Sequence, residues 1–279
     1  MNKVEIYYFS GTGNSLHVAR ELQRRLPRAD LIPMVSLLDK EIIEIQGDSV
    51  GFVFPTYLSS VPIPVRQFLR KLDFKFEPYL FAITTRGGAP SFANINLEKI
   101  LKKKGRKLDS FFILTMALNQ PTGLKPSFIP SDKNWLNRIT KDEIARLESV
   151  VQTRLDVIQN VIIAKEKVSE ADTSRPLTSV LMAPADYASE HSNTQIHYYA
   201  DSECTGCGIC ERVCLSRKIK MIHDKPEWQK DIKCYYCYAC FNFCPGQSIL
   251  IRNFRNSYSE KKGRYFHPKI TAEDIAGQK

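Results

Sequence analysis

Cysteine is absent before Cys204 and after Cys244, and all eight cysteines of this 279-residue chain lie between those two positions. A disulfide framework spread over the whole chain is therefore excluded. No apolar run approaches the roughly 18 residues that a membrane-spanning helix needs. The opening stretch, Met1 to Tyr8, has no signal-peptide h-region and reads directly into a strand, so a cytoplasmic protein is expected. Neither Gly-x-Gly-x-x-Gly nor a loop ending in Gly-Lys-Ser/Thr occurs, which leaves no separate nicotinamide fingerprint and no P-loop. No paired carboxylates, Ser-His-Asp pattern or Cys-His nucleophile stands out, and His17 and His223 read as structural or exposed side chains. Charge is not scarce: the formal net charge is +10. The densest basic run, Lys102-Lys103-Lys104-Gly105-Arg106-Lys107, has no interleaved aromatics. Nucleic acid is therefore not expected, and the run reads as a solvated helix end or a docking face for an acidic redox partner.

The cysteines fall as Cys204-x2-Cys207-x2-Cys210-x3-Cys214 and again as Cys234-x2-Cys237-x2-Cys240-x3-Cys244-Pro245. Soft thiolates at metal-ligand spacing select iron–sulfur clusters or zinc. Zinc commonly takes two CxxC pairs, whereas three cysteines spaced two apart suit three irons of one cube. The fourth cysteine of such a run reaches across to the other cluster. That rule groups Cys204, Cys207, Cys210 and Cys244 on one 4Fe–4S cluster, and Cys234, Cys237, Cys240 and Cys214 on a second. Two such clusters add about four negative charges and offset part of the basic excess. Ile219 to Ile222 and Ser248 to Ile251 follow the two motifs at equivalent places and read as paired short strands. Gly208 in the first motif is Tyr238 in the second. Tyr235, Tyr236, Tyr238, Phe241 and Phe243 crowd the second motif. The cluster held mainly by Cys234, Cys237 and Cys240 is thus expected to be the more shielded from solvent, with a lower potential.

Upstream, β-branched and aromatic runs alternate with helical periodicity. Strands are expected at 3–9, 31–34, 49–54, 79–84 and 111–116, with helices from Leu16 to Leu26, Pro64 to Lys71 and Asn94 to Lys104. Thr140-x-x-Glu143 is a capping box opening a long amphipathic helix to about Lys167. Strand–helix alternation of this kind argues for a doubly wound α/β sheet. Proline-interrupted segments, 119–137 and 168–195, read as irregular, the second as a connector that packs on one of the domains.

The loop between the first strand and helix is Ser10-Gly11-Thr12-Gly13-Asn14-Ser15. A strand-to-helix loop aims backbone N–H groups and the helix dipole at one spot, which favours an anion. Glycines allow close approach, and Ser10, Thr12, Asn14 and Ser15 add polar groups. The structural alternative is a flexible turn with an ordinary N-cap.

Phe9 to Ser15 resembles the FMN-phosphate loop of flavodoxins. Thr56-Tyr57 resembles one flavin-flanking loop, and Thr84-Thr85-Arg86-Gly87-Gly88 sits where flavodoxins place the other. With no aromatic between Thr85 and Pro90, Tyr57 is left to cover a flavin face, with Phe92 a second candidate. Together with the cysteine run, the chain resembles the flavodoxin–ferredoxin fusion proteins of anaerobes. The resemblance implies a flavodoxin-like doubly wound parallel sheet, order 2-1-3-4-5, followed by a small α+β two-cluster ferredoxin domain. It implies FMN and two 4Fe–4S clusters as cofactors. The expected divisions are 1–167, a connector 168–195, 196–252 and a tail 253–279. The expected function is electron transfer to or from a redox protein partner. A flavin-dependent reductase fed by the clusters, with a substrate pocket built by 119–137, and a cluster-based redox sensor are the alternatives.

Overall fold

The computed structural model describes residues 3–57, 59–88, 91–121, 139–170, 197–252, 259–261 and 263–279. The reductase pocket expected at 119–137 and the connector at 168–195 fall largely outside the described residues.

Five strands form the main sheet: β1 (Val4–Tyr8), β2 (Ala29–Pro33), β4 (Ser49–Pro55), β6 (Tyr79–Arg86) and β7 (Ser110–Thr115). All pair in parallel, in the order β2-β1-β4-β6-β7. Taken as successive sheet strands, that order is the 2-1-3-4-5 winding of flavodoxin-like folds. The inner strands are buried on both faces, as near-continuous runs such as Val50-Gly51-Phe52-Val53-Phe54 require. Helices α1 (Asn14–Arg25), α2 (Ile63–Lys71), α3 (Ala93–Lys102) and α4 (Lys141–Ala164) cover the sheet. The small parallel pair β3 (Ile43–Glu44) and β5 (Leu72–Asp73) was not expected. Each helix turns its apolar stripe inward; on α4 the buried positions are Leu147, Val151, Leu155, Ile158 and Ile162. The Thr140 hydroxyl accepts from the Glu143 N–H, but the Glu143 carboxylate pairs with Arg146, one turn on. No described helix is long and apolar enough to cross a membrane.

The cysteine-bearing unit contains β8 (His197–Ala200), α5 (Ile209–Arg212), β9 (Ile219–Ile222), β10 (Lys225–Trp228), α6 (Ala239–Asn242) and β11 (Ile249–Arg252). The expected pairing of 219–222 with 248–251 is corrected: β9 pairs with β10, and β11 pairs with β8, both antiparallel. The reason is local. His223 and Asp224 both have positive φ, 47° and 58°, which is the two-residue hairpin turn that folds β10 straight back on β9.

The two halves of the unit repeat with the spacing of the cysteine motifs. Gly206 and Gly208 of the first half have φ of 73°, and their counterparts Tyr236 and Tyr238 have φ of 56°. The second loop thus holds two tyrosines in the left-handed region, at roughly 1–2 kcal/mol each. Trp228 of β10 stacks on Tyr198 of β8 within this unit.

The two units share a core. Val213, Leu215, Ala239 and Phe243 join the main apolar cluster of the α/β sheet, with Ile270 and Ile275. Leu215 occupies the place where ferredoxin-type motifs usually carry proline. It is 2% exposed, so it acts as a docking side chain. Residues 263–279, with α7 (Ala272–Ala276), strap both units together. Arg264 donates to the carbonyls of Phe241, Gln247 and Ile249. The capping box Thr271–Asp274 starts α7, and Asp274 also pairs with Arg20 of α1.

Candidate functional site

Three loops at the carboxyl ends of β1, β4 and β6 meet around a recess of about 390 Å3. Of the residues assigned to a cofactor from the sequence, Ser10, Gly11, Thr12, Asn14, Ser15, Thr56, Tyr57, Thr85, Arg86 and Gly87 line it. Gly13, Thr84 and Gly88 do not. Gly13 is the N-cap of α1, at φ 100°, where a Cβ would also strike Ile270 at 2.8 Å. Thr84 is fully buried beneath the recess, its hydroxyl 2.7 Å from that of Thr56. Phe92 is buried at the start of α3 and is not a lining residue. Pro55, Ala117, Leu118 and Asn119 complete the wall. The last three follow β7, and only their position after the last strand could have signalled them.

The recess suits an anion. No acid lines it, Arg86 does, and α1 has no acidic residue in its first turn. First-turn N–H groups have no partner inside the helix. The loop is held rigidly from behind. Gln278 donates to the Ser10 carbonyl at 2.8 Å and accepts from the Ser10 N–H at 3.0 Å. The His267 N–H donates to the Thr12 carbonyl at 2.8 Å, and Asn119 donates to the Thr12 hydroxyl. Tyr265 donates to the Asn14 amide oxygen, while the Asn14 amide donates to the Ala117 carbonyl. Ser15 and Thr85 share a hydrogen bond of 2.8 Å between hydroxyls.

Tyr57 and Tyr235 approach the Phe9 ring edge-on, at 6.1 and 6.4 Å. The Tyr57 hydroxyl is buried with no hydrogen-bond partner. Burial pushes its pKa well above 10, and the nearby Cys237 adds to the effect. At Gly11 the cysteine unit comes closest. An added Cβ there would lie 2.5 Å from the Cys237 carbonyl oxygen, 2.6 Å from the Tyr57 hydroxyl and 2.7 Å from the Cys237 Cβ. The second cysteine loop therefore lies directly against the glycine loop.

Cys204, Cys207, Cys210 and Cys244 line a second recess, of about 340 Å3, with Met221 and Ile249. Cys214 bears electrostatically on Cys234, Cys237 and Cys240. The fold thus gathers Cys204, Cys207, Cys210 and Cys244 around one recess and sets Cys214 near Cys234, Cys237 and Cys240. All eight are free thiols. Among the described residues, no three cysteine sulfurs lie within 4.8 Å of one another. A tetrahedral zinc with Zn–S bonds of about 2.3 Å would need them about 3.8 Å apart. Burial pushes the Cys234 thiol up to about 11 and Cys210 up to about 12, away from nucleophilic roles near neutrality. A coordinated metal ionises such thiols outright. Backbone N–H groups of Tyr236 and Ser248 donate to the sulfurs of Cys234 and Cys244. Cys207, in the first loop, is exposed, and no cysteine of the second motif is.

The basic run after α3 is partly tied down: Lys104 donates to the Leu72 carbonyl and Arg106 pairs with Glu77. Sequence reading missed three features of the site: the strap 263–279, Asn119, and His17, which is buried against Glu148.

No family model matches the chain, and neither does any curated protein. Solved structures do. Two-electron reduced flavodoxin from Megasphaera elsdenii is 15% identical, with TM-score 0.31, over 54% of this chain and 98% of that one. A flavodoxin from Streptococcus pneumonia TIGR4 is 14% identical, with TM-score 0.30, over 56% and 98%. Superpositions this loose carry no argument; the fold assignment rests on the strand order.

Proposed function

We propose that this chain is an iron–sulfur flavoprotein that carries electrons between FMN, two 4Fe–4S clusters and a redox protein partner. The observation that carries the reading is the contact of Cys237 with Gly11 and Tyr57, because it makes one wall common to two cofactor-type sites. The N–H groups of the Ser10–Ser15 loop and the start of α1 would hold the phosphate, helped by the hydroxyls of Thr12 and Ser15. Tyr57 and the Thr85–Gly87 backbone would flank the ring system. Cys204, Cys207, Cys210 and Cys244 would hold one cluster, and Cys214, Cys234, Cys237 and Cys240 the other. FMN exchanges one or two electrons, and each cluster exchanges one at a time.

The chain's own residues then divide the work. Phe9, Tyr57 and Tyr235 exclude water between the two sites. Gln278, His267 and Asn119 keep the phosphate loop in shape. Exposed Cys207 puts the first cysteine loop at the surface, where a partner protein could exchange electrons, while the second loop packs against Gly11. Fusion in one chain replaces a bimolecular encounter by a fixed contact.

Anaerobic purification followed by flavin, iron and sulfide assays tests the reading. The expected content is about one FMN and about eight iron and eight sulfide per chain. Failure to bind FMN after reconstitution removes the flavin half of the proposal; a cluster content near zero removes the other half.

A further inference from the structure

We propose that His17, Glu148 and His267 form a binding site for one divalent transition-metal ion of the zinc type, independent of the cysteine sites. His17 comes from α1, Glu148 from α4 and His267 from the strap. Their ligand atoms all lie within 4.8 Å of one another, the only such group among the described residues. Both imidazoles are buried, with side chains 3% and 4% exposed. His17 Nε2 lies 2.7 Å from Glu148 Oε1, and His267 Nε2 lies 3.6 Å from Glu148 Oε2. That second oxygen is buried and meets His267 Nε2 only across the long 3.6 Å contact. A buried carboxylate oxygen held this loosely is underserved and can take a cation.

Two imidazole nitrogens and a carboxylate oxygen are the donor set that suits zinc and its neighbours, with a fourth position left for water. Tetrahedral bonds of about 2.0–2.1 Å place ligand atoms roughly 3.4 Å apart, inside the 2.7–4.8 Å spread of this group. The rings stack at 3.9 Å and 18°, so entry of the ion splays them until both Nε2 lone pairs converge. The ion replaces the His17–Glu148 hydrogen bond, and two further contacts are given up. Lys269 Nζ, 3.5 Å from Glu148 Oε1, swings out on a side chain 63% exposed. The Lys269 N–H, which donates to His267 Nδ1 at 3.3 Å, lies on the exposed turn 268–269 and shifts with it. Gln152, which donates to Glu148 Oε1 at 2.9 Å, can keep that bond and orient the carboxylate. The site lies behind the glycine loop, since the His17 and His267 N–H groups donate to the Gly13 and Thr12 carbonyls.

The test uses cluster-loaded protein under anaerobic conditions, dialysed against Zn2+ and analysed for zinc and iron. Zinc X-ray absorption identifies the ligands. One zinc per chain is expected, with iron unchanged and a first shell of nitrogen and oxygen at about 2.0–2.1 Å. His267→Ala and Glu148→Gln are each expected to weaken binding by at least ~10-fold, since loss of even an outer partner costs ~10–100-fold. Glu148→Gln keeps the side chain's size, and iron content reports that the variant is folded. A sulfur shell at about 2.3 Å, zinc gained at the expense of iron, no zinc retained, or unchanged affinity in folded Glu148→Gln protein overturns the proposal.

Discussion

Gly11→Ala probes the wall between the two sites. Gly11 does not have a positive φ, so alanine meets no backbone strain there and the effect is steric. The new methyl would sit 2.5 Å from the Cys237 carbonyl oxygen and 2.7 Å from its Cβ. Neither atom is the end of a flexible side chain. The Tyr57 hydroxyl, at 2.6 Å, closes the third side. Interiors this dense accept an extra methyl at about 1–3 kcal/mol, because neighbours must leave their rotamers or the backbone must shift. The upper half of that range is expected here, which is a fall of about 30- to 150-fold in the folded-to-unfolded ratio. Relief comes by lifting the second cysteine loop, which also opens the Phe9–Tyr235 edge contact. Denaturant titration of anaerobic, cofactor-loaded protein measures the change, followed by flavin fluorescence and by cluster absorbance. Both transitions should move to lower denaturant. Gly277→Ala is the control: its nearest neighbour would be 3.4 Å away and its φ is −65°, so a change below about 1 kcal/mol is expected. A Gly11→Ala protein within about 0.5 kcal/mol of the parent by both probes refutes the contact.

Leu215→Ala removes a nearly fully buried docking side chain and should cost about 2–5 kcal/mol, read in the same titration; a loss below 1 kcal/mol would show that the units do not share a core. Tyr238→Gly should raise the potential of the second cluster and leave the first alone, since it thins the apolar shell around Cys234, Cys237 and Cys240; redox titration of both clusters checks this, and equal, unmoved potentials refute it. Stability should fall with acid in two stages. Burial holds the His267 pKa below 6.5, against donation to Glu148, so the unfolded chain binds a proton that the folded one refuses and stability drops as pH falls through 6.5. Burial acts to raise Glu148, but hydrogen bonds from His17, His267 and Gln152 outweigh it and hold the carboxyl far below 4.5; its contribution is complete above pH 4.5 and is lost below. Denaturation midpoints of zinc-free protein between about pH 7.5 and 3 should show both, and His267→Gln should flatten the upper stage; an unchanged slope contradicts the assignment.

Much of the fold was legible because its signals are local. Lys3 to Phe9 reads as a buried strand, Ser10 to Ser15 as a loop before a helix, and the cysteine spacing puts Cys244 with Cys204, Cys207 and Cys210, which line one recess. The main-sheet boundaries moved by only a few residues. What escaped the sequence depends on contacts between distant segments. Leu215 carries no motif, and only its burial in the α/β core shows its purpose. Gln278 carries no motif, yet it makes both hydrogen bonds to the Ser10 backbone. His17 looked structural because Glu148 and His267 are far from it in sequence. The hairpin of β9 and β10 was missed for another reason. Its turn is His223-Asp224, without the asparagine or glycine that usually announces positive φ. Tyr236 and Tyr238 hide their left-handed backbone in the same way, and only comparison with Gly206 and Gly208 reveals it.

In the proposed arrangement the second cysteine loop packs against the glycine loop that would hold the FMN phosphate. Phosphorus NMR of the bound FMN phosphate tests it most directly, because that phosphate would sit at Gly11 and Thr12, beside Cys237. Reducing the clusters makes them strongly paramagnetic. The account predicts a phosphorus line that relaxes much faster and broadens on cluster reduction. A sharp line, unchanged between the two states in protein that carries both cofactors, would contradict it.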